Sequence, residues 1–280
     1  MIVAIARPAA VITLPSQHQT IILAMDVSGS MRAMDVQPNR ISAAQAAAKA
    51  FVAEQPSNVR IGVVSFAATA AVVQTPTQNR EDILTAIDRF QLQRGTAIGS
   101  GIIVSLATIF PEAGIDVSSL IYGRDAPRGV PLDQARKAEK PAFTPVPPGS
   151  YTSAAIILLT DGQRTTGPDS IDAARMAADR GVRVFTVGIG TTSGETIGFE
   201  GWSMRVRLDE ETLKSIANMT RGEYFYAGTA TDLKKVYQSL NAKLVLEKKD
   251  MEISALFSAA AAVIALVSAL LSLLWFNRIL

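Results

Sequence analysis

The chain has 280 residues, 48% of them hydrophobic, with 27 Lys and Arg against 25 Asp and Glu, one histidine and no cysteine. The net charge of +2, with no basic run, gives nucleic-acid binding no electrostatic footing. Without cysteine there are no disulfides, no thiolate catalysis and no cysteine-ligated zinc or iron–sulfur site.

Residues 1–17 begin with an apolar stretch before Arg7 and Pro8. It is too short to span a bilayer and lacks the positive n-region of a signal peptide. These residues read as a strand-like or disordered arm, or as the stub of a membrane helix. The run Ile21–Met25 predicts a buried parallel strand that delivers Asp26, Ser28 and Ser30 into the turn after it. His18 lies on the far side of that strand, about 26 Å from Asp26. It cannot serve as a base for either serine, which removes a Ser-His-Asp hydrolase.

Pro38-Asn39-Arg40 opens a helix whose apolar positions recur at helical spacing until Pro56. Val59–Ala67 predicts a second buried strand, and Ala70–Gln74 an antiparallel edge strand joined to it by a tight turn. A helix follows from Asn79 or Arg80 to Phe90. The loop Arg94-Gly95-Thr96-Ala97 then leads into a helix over Ile98–Phe110. Residues 111–152 carry seven prolines and no sustained period, so an exposed insert is expected, with helical pieces near Pro131–Glu139. Its departure from the helix that starts beside Thr96 suggests that it frames the same surface as Thr96.

Ala154–Thr160 predicts a further buried strand ending at Asp161-Gly162. Asp169–Arg180 predicts a helix stopped by Gly181, and Val182–Val187 a strand. A small hairpin over Thr196–Phe199 and Met204–Leu208, a helix capped by Asp209, a short strand Tyr224–Tyr226 and a helix from Asp232 to Val245 complete residues 18–246. Alternating buried strands and amphipathic helices specify an α/β fold: an open, doubly wound, mostly parallel sheet. Ligands of such sheets sit beyond the carboxyl ends of the strands, where Asp26 and Asp161 both fall. Residues 247–280 are expected to hold a juxtamembrane segment and one transmembrane helix. The stretch Ile253–Phe276 carries no charge and as a helix measures about 36 Å, more than the ~30 Å hydrocarbon core.

Asp26-x-Ser28-x-Ser30, then Thr96, then Asp161, is an all-oxygen donor set suited to a hard divalent cation such as Mg²⁺, or Mn²⁺ or Ca²⁺. A Rossmann dinucleotide enzyme would need G-x-G-x-x-G after the first strand, where this chain has Asp-Val-Ser-Gly-Ser. An aspartate-dependent phosphotransferase would want a second carboxylate at position 28 and a nearby lysine. No residue stands out as a base for metal-assisted hydrolysis. The protein is therefore expected not to be an enzyme.

The same five residues resemble the metal-ion-dependent adhesion site (MIDAS) of von Willebrand factor type A (vWA) domains, and the resemblance covers about residues 19–245. It implies that Ser28 and Ser30 bind the ion directly, that Thr96 and Asp161 bind directly or through water, and that Asp26 supports ligands from beneath. One coordination position is then left for a Glu or Asp of a protein partner. Pro38-Asn39-Arg40-Ile41, Gly188-Ile-Gly190-Thr191 and Leu208–Leu213 are further similar to bacterial BatA-type, aerotolerance-type membrane proteins. That likeness implies a bacterial inner-membrane protein acting with a MoxR-type AAA+ ATPase and sister Bat-type membrane proteins, in assembly, metal insertion or stress tolerance. Lys243, Lys248 and Lys249 before the last helix, against Arg278 after it, favour the domain inside by the charge rule. The resemblance implies the domain outside, in the periplasm, and this is the placement expected. A structural membrane domain with a vestigial metal site is the alternative reading, with a metal-dependent hydrolase behind it.

Overall fold

The computed structural model describes residues 9–15, 20–123, 143–199, 202–252 and 254–276. The chain divides into two units, one of Gln17–Ala242 and one of Met1–Ser16 with Lys243–Leu280. His18 and the stretch Pro131–Glu139 lie outside the described residues.

The larger unit is built on a six-stranded sheet in the order β4-β3-β2-β5-β6-β9. Its strands are β2 (Thr20–Asp26), β3 (Arg60–Phe66), β4 (Ala70–Thr77), β5 (Ala154–Thr160), β6 (Arg183–Ile189) and β9 (Tyr224–Ala227). All neighbours pair in parallel except β4, which runs antiparallel along the edge beside β3. Every residue of β2 and of β5 is buried, as continuous apolar runs require when helices cover both faces. Strand alternation sends Ile22 and Ala24 to one face and Ile21, Leu23 and Met25 to the other.

The first face packs against α3 (Ile98–Ile109), α5 (Ser170–Asp179) and α6 (Glu210–Met219), with Ile102, Leu106, Ile156, Leu158, Ala174 and Ile216 in one buried cluster. The helices α1 (Arg40–Glu54), α2 (Arg80–Asp88) and α7 (Ala230–Val245) make up the rest of the helical layer. There Phe51 of α1 and Tyr237 of α7 meet at 5.1 Å between ring centroids. Four helices start where the sequence places a cap. Asn39, Asn79, Asp169 and Asp209 each accept a hydrogen bond from a first-turn backbone N–H. Gly101 of α3 is needed for close approach, since a Cβ there would sit 2.7 Å from the Phe66 ring.

The insert departs from expectation in position. α3 is a 12-residue helix, so it carries the chain about 18 Å away from Thr96. Residues 111–122 form a 3-10 turn and the short helix α4 (Val117–Tyr122). Val146 and Tyr151 then donate to the carbonyls of Asp179 and Gly181, near the start of β6. The described part of the insert therefore lies at the amino ends of the strands and does not frame Thr96.

The predicted hairpin is present as β7 (Glu195–Phe199) and β8 (Trp202–Val206). In the smaller unit, β1 (Ala9–Pro15) pairs antiparallel with β10 (Leu246–Glu252). The charged stretch expected as a juxtamembrane segment is its partner strand, from the other end of the chain and invisible to a local pattern. The helix α8 (Ser254–Phe276) spans 23 residues without a charge. Its side chains are described only over residues 261–272, and with α8 limited to that stretch no helix among the described residues is long and apolar enough to cross a membrane.

Leu158 is 0% exposed in the central layer. Leu158→Ala is expected to cost about 2–5 kcal/mol in denaturant unfolding of the full chain. A loss below about 1 kcal/mol would contradict this packing.

Candidate metal centre

The parallel register that sets Met25 of β2 beside Leu159 of β5 brings Asp26 and Asp161 to adjacent strand ends. Both are 0% exposed, and Ser28, Ser30 and Thr96 are buried with them. After Ser28 the backbone tightens into a 3-10 turn over Gly29–Arg32, which turns two alternate serines toward each other. Their hydroxyl oxygens lie 2.9 Å apart. Asp26 is braced rather than free. Its Oδ1 accepts from the Ser28 N–H at 2.7 Å and its Oδ2 from the Thr160 hydroxyl at 2.5 Å.

Thr96 joins this group through its backbone. Gln93 N–H donates to the Val27 carbonyl at 2.8 Å, and Ala97 N–H to the Ala67 carbonyl at 2.6 Å. Thr96 N–H donates to the Thr165 hydroxyl at 2.8 Å, and Thr165 N–H returns a bond to the Thr96 carbonyl at 3.0 Å. These bonds fasten the Thr96 loop to the ends of β2 and β3 and to the loop after Asp161.

Burial, and then the charge of Asp161, push the Asp26 carboxyl up to about 7, against the pull of the Ser28 and Thr160 donors. Burial also raises Asp161, while Ser30 and Arg40 pull it down. Arg40 is a fully buried guanidinium. Its Nη1 donates to Asp161 Oδ2 at 3.1 Å, and its Nε and Nη2 each donate to an oxygen of Asp35 at 2.7 Å. Burial acts upward on Asp35, but Arg40 and Thr191 outweigh it and hold that carboxyl below its usual range. Gly190 has φ +119°, and a Cβ there would stand 2.6 Å from the guanidinium. Glu195 of β7 closes the network by accepting from the Met34 and Asp35 N–H groups at 2.5 and 2.7 Å.

The donor set fits a small hard cation. Adjacent ligands of an octahedron with ~2.0–2.1 Å metal–oxygen bonds lie about 2.8–3.0 Å apart, and the two serine oxygens lie 2.9 Å apart. Asp26 and Asp161 are buried side by side, and the guanidinium of Arg40 bonds to Asp161 and Asp35, so added positive charge between Asp26 and Asp161 is favourable. Among the described residues no cluster of three or more His, Cys, Asp or Glu is present, consistent with a set of two carboxylates and three hydroxyls.

All five residues singled out from the sequence are brought to one end of the sheet. Sequence reasoning overlooked Thr160, Thr165, Asp35 and the charge role of Arg40. The Pro-Asn-Arg stretch was the available signal for Arg40. Nothing local distinguishes Asp35.

Arg40→Met is expected to destabilise by about 3–5 kcal/mol, because it leaves buried carboxylates uncompensated. Arg40→Lys should recover little, since a compact ammonium lacks the planar fork that grips both oxygens of Asp35 while reaching Asp161. Denaturant melts of both variants check this. Asp26 rises from 3.8 to about 7 on folding, so the native state binds more protons in that interval. Metal-free stability is therefore expected to fall as pH rises from about 4 to about 7. Melts in chelator across that range test the slope, which Asp26→Asn should flatten.

A profile of the von Willebrand factor type A domain matches residues 21–163, and a second profile of the same description matches 147–239. A UPF0353 protein of Mycolicibacterium gilvum is 36% identical over 251 residues, covering 88% of this chain and 66% of the relative. A UPF0353 protein of Mycobacterium sp. (strain KMS) is 34% identical over 283 residues, covering 99% and 76%. The chain thus spans about two thirds to three quarters of the length of these relatives. Among solved structures, an aerotolerance-related membrane protein from Bacteroides fragilis superposes with TM-score 0.60 at 22% identity, over 80% of this chain and 98% of that one. Proximal thread matrix protein 1 of the mussel byssus, in a form with a zinc-occupied MIDAS motif, gives TM-score 0.53 at 18% identity, over 87% and 50%. These two likenesses show the fold. With both profiles falling on the sheet and loops that carry the candidate centre, the chain belongs to the von Willebrand factor type A domain family.

Proposed function

We propose that the protein is a membrane-anchored, non-catalytic binding module. It holds a divalent cation, Mg²⁺ or in its place Mn²⁺ or Ca²⁺, on Asp26, Ser28, Ser30, Thr96 and Asp161. A Glu or Asp of a partner protein completes the ion's shell. The observation that carries this reading is the pair of buried carboxylates at adjacent strand ends beside two serine oxygens at octahedral-edge spacing. The zinc-occupied motif named for the mussel protein supports it by analogy. The bound ion would supply an electrophilic position for the partner's carboxylate.

Membrane anchoring is read from α8, whose 23 uncharged residues make about 35 Å of helix, and from the aerotolerance-related membrane protein of similar fold. The domain is placed on the outer side of a bacterial inner membrane. Assembly with a MoxR-type AAA+ ATPase and sister Bat-type proteins is part of the proposal, carried by the resemblance of the motif segments. One observation favours a second reading, a structural domain with a vestigial site: Arg40 already supplies Asp161 with a counter-charge at 3.1 Å.

Thermal unfolding separates the two readings. A hundredfold excess of Mg²⁺ over Kd is expected to stabilise the wild-type chain by about 2.7 kcal/mol and to leave Asp26→Ala and Ser28→Ala unmoved. Equal shifts, or none, in wild type and variants would establish the vestigial reading. A reporter fused after Leu280 and active only in the cytoplasm is the outcome expected for the topology.

A further inference from the structure

We propose that the β7–β8 hairpin carries a second, anion-reading subsite beside the metal centre, and that the partner is an acidic protein segment presenting two carboxylates. The proposal rests on the metal-binding reading above and adds the chemistry of the partner.

A cavity of about 410 Å³ is lined by Gln163, Thr192, Ser193, Arg205 and Arg207. Every polar side chain in it can donate, and none is a carboxylate. Arg205 and Arg207 flank Val206, which is buried, so alternation turns both guanidiniums outward on one side. Among the described residues no carboxylate is ion-paired with either of them. Arg205 Nη2 donates to the Ser193 carbonyl at 2.6 Å, which braces that side chain and leaves its other donors for a ligand.

The cavity adjoins the metal centre through Gln163. That residue lies two positions after Asp161, at most about 7 Å along the chain, and its N–H donates to Asp161 Oδ1 at 3.2 Å. In an extended peptide, side chains two residues apart share a face and stand about 7 Å apart. One carboxylate of such a segment would complete the metal shell while the next on that face meets Arg205 and Arg207.

The hairpin is held for this purpose. Glu195 at its start accepts from Met34 and Asp35, Asp35 grips Arg40, and Arg40 grips Asp161. At its far end Leu208 N–H donates to the Thr191 carbonyl at 3.0 Å. The arginines are thus fixed relative to the metal ligands by a continuous chain of hydrogen bonds, which is what a two-point reader requires.

The test uses the full chain with two blocked peptides, Gly-Glu-Gly-Gly-Gly and Gly-Glu-Gly-Glu-Gly, titrated calorimetrically at saturating Mg²⁺. The two-acid peptide is expected to bind the wild type about tenfold more tightly, the worth of one added charge-assisted contact. Arg205→Glu combined with Arg207→Glu should erase that advantage, while binding of the one-acid peptide should still require Mg²⁺. The Arg205→Gln and Arg207→Gln pair should reduce it without reversing charge, and covers any disturbance of folding by the reversal. Equal affinities for the two peptides in wild type, or an advantage that survives in the double variants, would overturn the subsite while leaving the metal reading intact. Peptide binding that is indifferent to Mg²⁺ and to Asp26→Ala would overturn the metal reading and the subsite with it.

Discussion

Two carboxylates of like charge buried at neighbouring strand ends are the constraint around which the rest of this structure is arranged. Parallel pairing of β2 and β5 forces Asp26 and Asp161 together, and burial removes the water that would screen them. Each oxygen therefore needs a specified donor. Asp26 is answered by the Ser28 amide and the Thr160 hydroxyl. Asp161 is answered by the Gln163 amide and by Arg40. The loops at this end of the sheet are shaped by the need to deliver those donors.

Arg40 shows how widely that requirement spreads. A guanidinium buried this deeply cannot serve one partner alone, and its remaining N–H groups recruit Asp35. Asp35 in turn takes two bonds from Thr191, and the room for the guanidinium exists because position 190 has no side chain. Segments far apart in sequence, Pro38–Ile41 and Gly188–Thr191, are thus parts of one electrostatic unit whose purpose is served at Asp161. The same unit reaches the β7–β8 hairpin through Glu195, so charge balance at the centre and placement of the hairpin are set by the same bonds.

Much of this was legible in the residues. Continuous apolar runs gave the strands, cap residues gave the helix starts at Asn39, Asn79, Asp169 and Asp209, and the fold class followed from their alternation. The five oxygen donors were recoverable because a strand end followed by alternate serines is a local pattern. The network behind them was not. Arg40 reads as an ordinary first-turn residue until the structure buries it, and Asp35 has no distinguishing neighbour. The insert was misplaced although the helix before it was read at its true length, because closeness in sequence to Thr96 outweighed the distance that α3 carries the chain, to the opposite end of the sheet. The pairing of β10 with β1 joins the two ends of the chain, beyond the reach of any window.

The strand order has a kinetic consequence. Thr160 and Asp26 are 134 residues apart, and Arg40 and Asp161 are 121 apart, yet all four belong to one cluster. No segment on the β2 side can assemble the cluster before β5 has docked, and closing a loop of that size precedes the contacts that reward it. On the proposed metal-binding reading, a cation that prefers the finished cluster would bind late, after β2 and β5 have met. Its occupancy would then report the docking of those two strands rather than the state of one loop.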